Sequence, residues 1–138
     1  MKKVLIFTSL LALMNAPAYS VKFINNSDST INKIFYVEKD NVRHSLPINH
    51  ILPGTTGEIS MQGLFDDIIH HLQQHPNEAN EKVAIRVVVQ HGTRTEIRSC
   101  PYIILTAETN YETLDREKTF TFAGKATKWD SNVICTEN

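Results

Sequence analysis

The chain has 138 residues, of which 14 are Lys or Arg and 15 are Asp or Glu, so its formal net charge is −1. Charges of both signs are scattered along the sequence, and a nucleic acid or another polyanion is therefore not an expected partner. The length allows one domain with a hydrophobic core and is too short for two.

The first twenty residues are typical of a cleavable export signal. Lys2 and Lys3 form a positive start, and Val4 to Met14 is an almost unbroken apolar run. This run is too short to span a bilayer. Two sites with small residues follow, so we predict cleavage after Ala18 or after Ser20, and we prefer the second.

The export signal sets the expectations for the rest of the chain. Removal of residues 1–20 leaves 138 minus 20, or 118, residues, and residues 21–138 are expected to form a single extracytoplasmic β domain. A short signal with paired lysines is typical of bacterial export, which leaves a periplasmic or a secreted protein. No later stretch reaches the roughly 18 apolar residues of a membrane span, so stable membrane insertion after cleavage is not expected. In an oxidising compartment, Cys100 and Cys135 are predicted to form one disulfide.

The first four strands are predicted from β-branched and aromatic residues between turn signals. Val21 to Asn25 and Ile31 to Glu38 are separated by an Asn/Ser/Asp cluster, which predicts an opening hairpin. Val42 to Ile48 contains Pro47, which is typical of an edge strand. Thr56 to Met61 follows a Pro-Gly turn. The pattern predicts an antiparallel meander.

An amphipathic helix is predicted over residues 64–75. Its apolar residues recur at helical spacing and form one stripe, and Pro76 ends the segment.

The clearest strand alternates apolar and polar residues from Val83 to Gln90, and Thr93 to Ser99 is predicted to return beside it. A two-residue turn would place the charged side chains of the returning strand on the apolar face, which conflicts with burial of that face. We therefore predict a three-residue loop that pairs Val89 with Thr93 and turns the charges to solvent.

Three more strands are predicted at Tyr102 to Thr106, Lys118 to Gly124 and Asn132 to Thr136. The total is about nine short strands and one helix. This count favours an antiparallel β-sandwich or a barrel-like domain.

Histidines on the predicted helix offer a candidate metal site. Asp67, His71 and His75 are spaced at i, i+4 and i+8, which places a carboxylate and two imidazoles in one row that could bind Zn or Cu. The row spans about 12 Å, so all three cannot readily hold one ion. Acidic residues at a helix start and histidines at its end also complement the helix dipole without any metal.

Signs of catalysis are absent from the sequence, which has no GxSxG elbow, no HExxH and no phosphate-binding loop with its lysine. Trp129 is the one candidate for a binding anchor, because it lies in the polar stretch Lys125 to Ser131 rather than in an apolar alternation. If it is exposed, a partner could bury it.

The leading hypothesis is a non-catalytic exported β domain that binds another macromolecule in the envelope or outside the cell. One alternative is an exported Zn- or Cu-binding protein that uses the helix histidines. The other is a small secreted hydrolase. Apart from the possible metal, no cofactor is predicted.

The signal predicts a shortened N-terminus for protein recovered from the periplasm or the medium. Because cleavage follows a small residue, the mature chain should begin at Tyr19 or Val21, which N-terminal sequencing or intact mass distinguishes. A version that lacks residues 1–18 is the control and should stay inside the cell. Recovery of an exported chain that still carries Lys2 would contradict the prediction.

Overall fold

The structure is a computed structural model that describes residues 19–138, and within this range the chain is mainly β. The predicted signal peptide, residues 1–20, lies outside the described range apart from its last two residues. The described elements are, in chain order, β1 (Val21–Asn25), β2 (Thr30–Val37), β3 (Arg43–Ile51), β4 (Thr56–Ile59), α1 (Asp66–Gln74), β5 (Glu81–His91), β6 (Arg94–Ser99), β7 (Ile103–Leu105), α2 (Tyr111–Glu117), β8 (Thr119–Ala123) and β9 (Ile134–Glu137).

The strands form two sheets, and no closed barrel is present among residues 19–138. The first sheet has the order β4-β1-β8-β9, and the second has the order β3-β2-β5-β6 with β7 also paired to β5. β5 is long enough to pair β7 along residues 81–83 and β6 along residues 86–91. β1 and β8 run parallel, so the prediction of a wholly antiparallel fold is wrong for this pair.

One hydrophobic core receives side chains from both sheets. In the first sheet, Phe23 stacks on Phe120 with ring centroids 5.3 Å apart. In the second, the inward residues of β5 are buried from Val83 to Val89 at every second position. Side chains alternate between the two faces of a strand, so this alternation gives each sheet one apolar face.

The prediction of an opening hairpin is wrong, because β1 and β2 belong to different sheets. The connection between them is buried: Asn25, Ser27 and Ser29 are at most 5% exposed. The Asn25 side-chain amide donates to the backbone oxygens of Ser29 (2.8 Å) and Ile51 (2.9 Å). Its oxygen accepts from the Ser27 hydroxyl at 2.6 Å. The polar cluster satisfies its own hydrogen bonds where the chain crosses between sheets, which allows its burial.

The predicted meander is also wrong, because β4 pairs with β1 rather than with β3. β2 and β3 do pair antiparallel, and β3 is an edge strand, as its Pro47 predicted.

The described residues form two helices where the sequence predicted one. α1 is confirmed, and its buried residues Ile69 and Leu72 come from the predicted stripe. α2 was missed, because its seven residues are too few for the apolar period that identifies a helix. Its N-cap is Asn110, whose side chain accepts hydrogen bonds from the first-turn N–H groups.

The prediction for the β5–β6 pair is wrong in two respects: the length of the turn, and the face of the sheet on which the charged residues of β6 lie. The turn has two residues, Gly92 and Thr93, and Gly92 adopts a positive φ of 62°. Val89 lies opposite Glu96, and the charged residues of β6 share the face of the β5 valines. The observed arrangement therefore resembles the two-residue turn that the sequence analysis rejected, with the charges of β6 on the apolar face. The reason is that this part of the face is covered by a polar loop, described below.

The predicted disulfide is confirmed between Cys100, which directly follows β6, and Cys135 in β9. It links an edge of the second sheet to an edge of the first. Within residues 19–138, no helix combines the length and the apolar character needed to cross a membrane.

Removal of the disulfide should strongly destabilise the fold. The bond closes a loop with a sequence separation of 35, for which the chain-entropy model gives about 3.5 to 4 kcal/mol. We expect the double variant Cys100→Ala/Cys135→Ala to lose about 3 kcal/mol of unfolding free energy in chemical denaturation. Reduction of the wild-type protein should produce a similar loss, and a change below about 1 kcal/mol would contradict this role.

Candidate functional site

The connection between β8 and β9 carries the most exposed large hydrophobic side chain that the structure describes. We call residues 124–133 the tryptophan loop. Trp129 is 81% exposed, and the Lys128 ammonium lies 5.2 Å from the centroid of its ring. It is the single tryptophan of the chain. Trp129 is thus exposed, which is the condition on which its choice as a candidate binding anchor depended.

Arg94 of β6 holds the backbone of the loop just before Trp129. One guanidinium nitrogen donates to the backbone oxygen of Lys128 and the other to that of Thr127, each at 2.8 Å. A guanidinium offers its donors in a rigid planar fork, so the two bonds fix both position and orientation.

Arg98 and Glu96 hold the residues just after Trp129. Arg98 donates to a carboxylate oxygen of Asp130 at 2.5 Å and to Glu96 at 2.6 Å. Glu96 in turn accepts from the backbone N–H of Ser131 at 3.1 Å. The charged side chains of β6 therefore pair with each other and with the loop on both sides of the indole.

Hydrogen bonds within the loop complete its structure. The Thr127 hydroxyl accepts from the backbone N–H groups of Trp129 (3.3 Å) and Asp130 (3.1 Å). Gly124 has a φ of 135°, and a Cβ at this position would lie 2.0 Å from the backbone oxygen of Asn132. Only glycine fits this close approach at the base of the loop.

The carboxylates that hold the loop are stabilised in their charged form. Hydrogen bonding from Ser131 lowers the pKa of Glu96, and the charge of Arg98 acts in the same direction. The backbone N–H of Asn132 lowers the pKa of Asp130, again with help from Arg98. Both groups therefore stay ionised to a lower pH than free carboxyl groups do.

A groove runs beside the tryptophan loop at the edge of β9. It has a volume of about 520 Å³ and is lined by Arg98, Asp130 and Ile134 among others. Ile134 is 66% exposed. The loop thus offers a large aromatic side chain next to a groove with an exposed aliphatic one.

The helix histidines form a second cluster. His71 and His75 lie together with Glu78, and the ligand atoms of the three residues are within 4.8 Å of one another. Asp67, the third residue of the predicted row, is not in this group, but it lines the same cleft as His71 and Glu78. Sequence reasoning missed Glu78, although its position three residues beyond His75 was a usable signal.

The cleft beside α1 is acidic. It has a volume of about 300 Å³. Among the described residues that line it, Lys39 and His71 are the basic ones. The carboxylates are contributed by the β2–β3 connection, α1, the turn after α1 and the start of β5: Glu38, Asp40, Asp67, Glu78 and Glu81.

The ion pairs of the tryptophan loop predict a loss of stability in acid. The pKa of Glu96 is lowered on folding from its usual value of 4.5. The contribution of Glu96 to the free energy of unfolding is therefore complete above about pH 4.5. It is lost as the pH falls through the folded-state pKa. We expect Glu96→Gln to reduce the dependence of unfolding free energy on pH below about pH 4.5, measured by urea denaturation. Glu112→Gln, which removes an exposed ion pair on α2, is the matched control. Equal acid sensitivity in wild type and Glu96→Gln would contradict the assignment.

The described chain therefore presents two candidate sites, one made by the tryptophan loop on β6 and one at the end of α1. The first offers an apolar anchor on a fixed support, and the second offers imidazole and carboxylate ligands. Comparison with known protein families, curated proteins and solved structures found no match to this chain.

Proposed function

We propose that this chain is an exported β domain that binds a protein partner through Trp129 and the tryptophan loop. The observation that carries the proposal is an indole 81% exposed on a loop that two arginines hold from β6. Large aromatic side chains are normally at least partly buried, and one displayed at a loop tip is a typical interface anchor.

The fixed support of the loop favours binding. A mobile loop loses conformational freedom when it binds, which costs about 0.5–1.5 kcal/mol per ordered side chain. The hydrogen bonds from Arg94 and Arg98 order the loop backbone before a partner arrives. Such preorganisation leaves more of the energy of indole burial for affinity.

The chemistry around the indole favours a protein as the partner. Lys128 covers part of the Trp129 ring, which leaves less of it for stacking on a sugar. Lys125 and Lys128 are exposed, whereas Asp130 is paired with Arg98. The rim is therefore positive. We infer a partner with an apolar pocket for the indole and carboxylates near its edge.

The disulfide and the fold are compatible with the same proposal. A disulfide between Cys100 and Cys135 is compatible with a periplasmic or secreted protein. Side chains of both sheets meet in one core, which supports a β-sandwich arrangement. Within the described residues, no hydrogen bond joins a Ser or Thr hydroxyl to a His ring, so no specific observation favours the hydrolase alternative.

The proposal predicts that Trp129→Ala abolishes partner binding without unfolding the protein. Immobilised mature protein is incubated with envelope extract and with medium of the producing cells, and retained proteins are quantified. Because truncation of an interface hot spot costs at least about 2 kcal/mol, the specific partner should be depleted roughly 30-fold or more with Trp129→Ala. With the isolated partner, fluorescence of the single tryptophan should shift to the blue as the indole is buried.

Tyr102→Ala is the matched control, because Tyr102 is also exposed, at 56%, and has a lysine over its ring. It should retain the partner at the wild-type level. Equal retention by Trp129→Ala would overturn the proposal. Trp129-dependent binding to a glycan array, with no Trp129-dependent protein, would replace the protein partner with a carbohydrate.

A further inference from the structure

The geometry points to a binding site for a divalent transition-metal ion, of the Zn²⁺ or Cu²⁺ class, formed by His71, His75 and Glu78. The two imidazoles lie one turn apart at the end of α1, with ring centroids 4.3 Å apart. Their ligand atoms and a Glu78 carboxylate oxygen lie within 4.8 Å of one another. Two imidazoles and one carboxylate form a donor set that suits these ions and leaves a coordination position open.

The hydrogen bond of His75 leaves its outer nitrogen ready to coordinate. Nδ1 of His75 lies 3.0 Å from the backbone oxygen of His71. A carbonyl oxygen only accepts, so Nδ1 carries the ring proton and Nε2 carries the lone pair. Metal-binding histidines are commonly oriented in this way, by a hydrogen bond from the ring nitrogen that does not bind the metal.

The backbone after the helix holds the third ligand in place. The N–H of Glu78 donates to the backbone oxygen of His75 at 3.0 Å, which closes a turn that includes Pro76. The carboxylate of Glu78 consequently lies 2.8 Å from Nε2 of His71. In the metal-free protein this contact is a hydrogen bond from Nε2 of His71 to the carboxylate. When a metal ion binds, Nε2 gives up this proton to solvent and the ring coordinates as the neutral form protonated at Nδ1.

The ligand atoms lie close to, but not at, the spacing that a bound ion requires. A zinc ion with ligand bonds of about 2.0–2.2 Å needs its ligand atoms about 3.3 Å apart. The largest separation is 4.8 Å, so the ligands must approach by about 1.5 Å. All three side chains are exposed, and their ends can move without disturbing the core.

The acidic cleft favours a cation at this place. Asp67 and Glu81 line the cleft together with His71 and Glu78, and the ammonium of Lys39 lies 4.0 Å from Glu81. The excess of carboxylates raises the local concentration of cations. Asp67 therefore contributes charge rather than a metal–ligand bond. This site goes beyond the proposed partner binding, because it shares no residue with the tryptophan loop.

Calorimetric titration of the mature protein with Zn²⁺ tests the site. We expect one saturable site per chain in the wild type. His75→Ala and Glu78→Gln should each weaken Zn²⁺ binding at least about tenfold, because loss of a ligand costs no less than loss of a group that orients one. His70→Ala is the matched control, since His70 is exposed on the same helix and lies outside the cluster, and it should bind as wild type does.

Two further measurements make each outcome decisive. Circular dichroism verifies that each variant keeps the secondary structure of the wild type. Zn²⁺ should raise the unfolding temperature of wild type and His70→Ala but not of His75→Ala. Trp129→Ala should leave Zn²⁺ binding unchanged. Absence of saturable binding, or equal losses in His70→Ala and His75→Ala, would overturn the site. Unchanged affinity in Glu78→Gln would overturn the role of Glu78.

Discussion

Glu96 and Arg98 lie on the face of β6 that they share with the buried valines of β5, where their side chains remain 21% and 30% exposed. A charge that is partly withdrawn from water in this way is favoured by a polar partner. The two residues pair with each other, and Asp130 of the tryptophan loop pairs with Arg98. Arg94 adds two hydrogen bonds to backbone oxygens of the same loop. The loop lies over the charged end of the second sheet, where its polar groups are the partners of these side chains. The outward position of Trp129 follows from this arrangement, since the residues on both sides of it are held.

The disulfide acts on the same part of the molecule. Cys100 directly follows β6, and Cys135 lies two residues beyond the end of the tryptophan loop. β6 is thus joined to β9 by the disulfide and to the loop before β9 by the Arg98–Asp130 ion pair. Ion pairs that are partly exposed, as these are, contribute little to stability on their own. Together with a covalent link between the sheet edges, they can hold one loop conformation, which a binding surface needs.

The two candidate sites lie toward opposite ends of β5. Glu81, its first residue, lines the acidic cleft, whereas His91, its last, is paired with Arg94 beneath the tryptophan loop. A strand of this length extends over about 30 Å. The chemistry at the two ends also differs, with imidazole and carboxylate ligands at one and an indole with a basic rim at the other. Metal binding and partner binding can therefore be altered separately.

The sequence by itself determined most of the strands, the helix α1, the edge position of β3 and the Cys100–Cys135 pair, because alternation, helical spacing, proline and cysteine parity are local or compositional signals. Only the tertiary structure decided which strands pair. The β1–β8 pair is parallel and joins segments almost a hundred residues apart, which no local pattern encodes. The tertiary structure also decided the register of β6. The sequence analysis rejected the register that places Arg98 on the apolar face, because no partner for its charge is visible nearby in the sequence. The partner is Asp130, which is 32 residues away. Glu78 joined the histidines through a turn after α1, whereas helical spacing had indicated Asp67. Spacing along a helix describes only the helix, and a site completed by the chain beyond it depends on how that chain folds back.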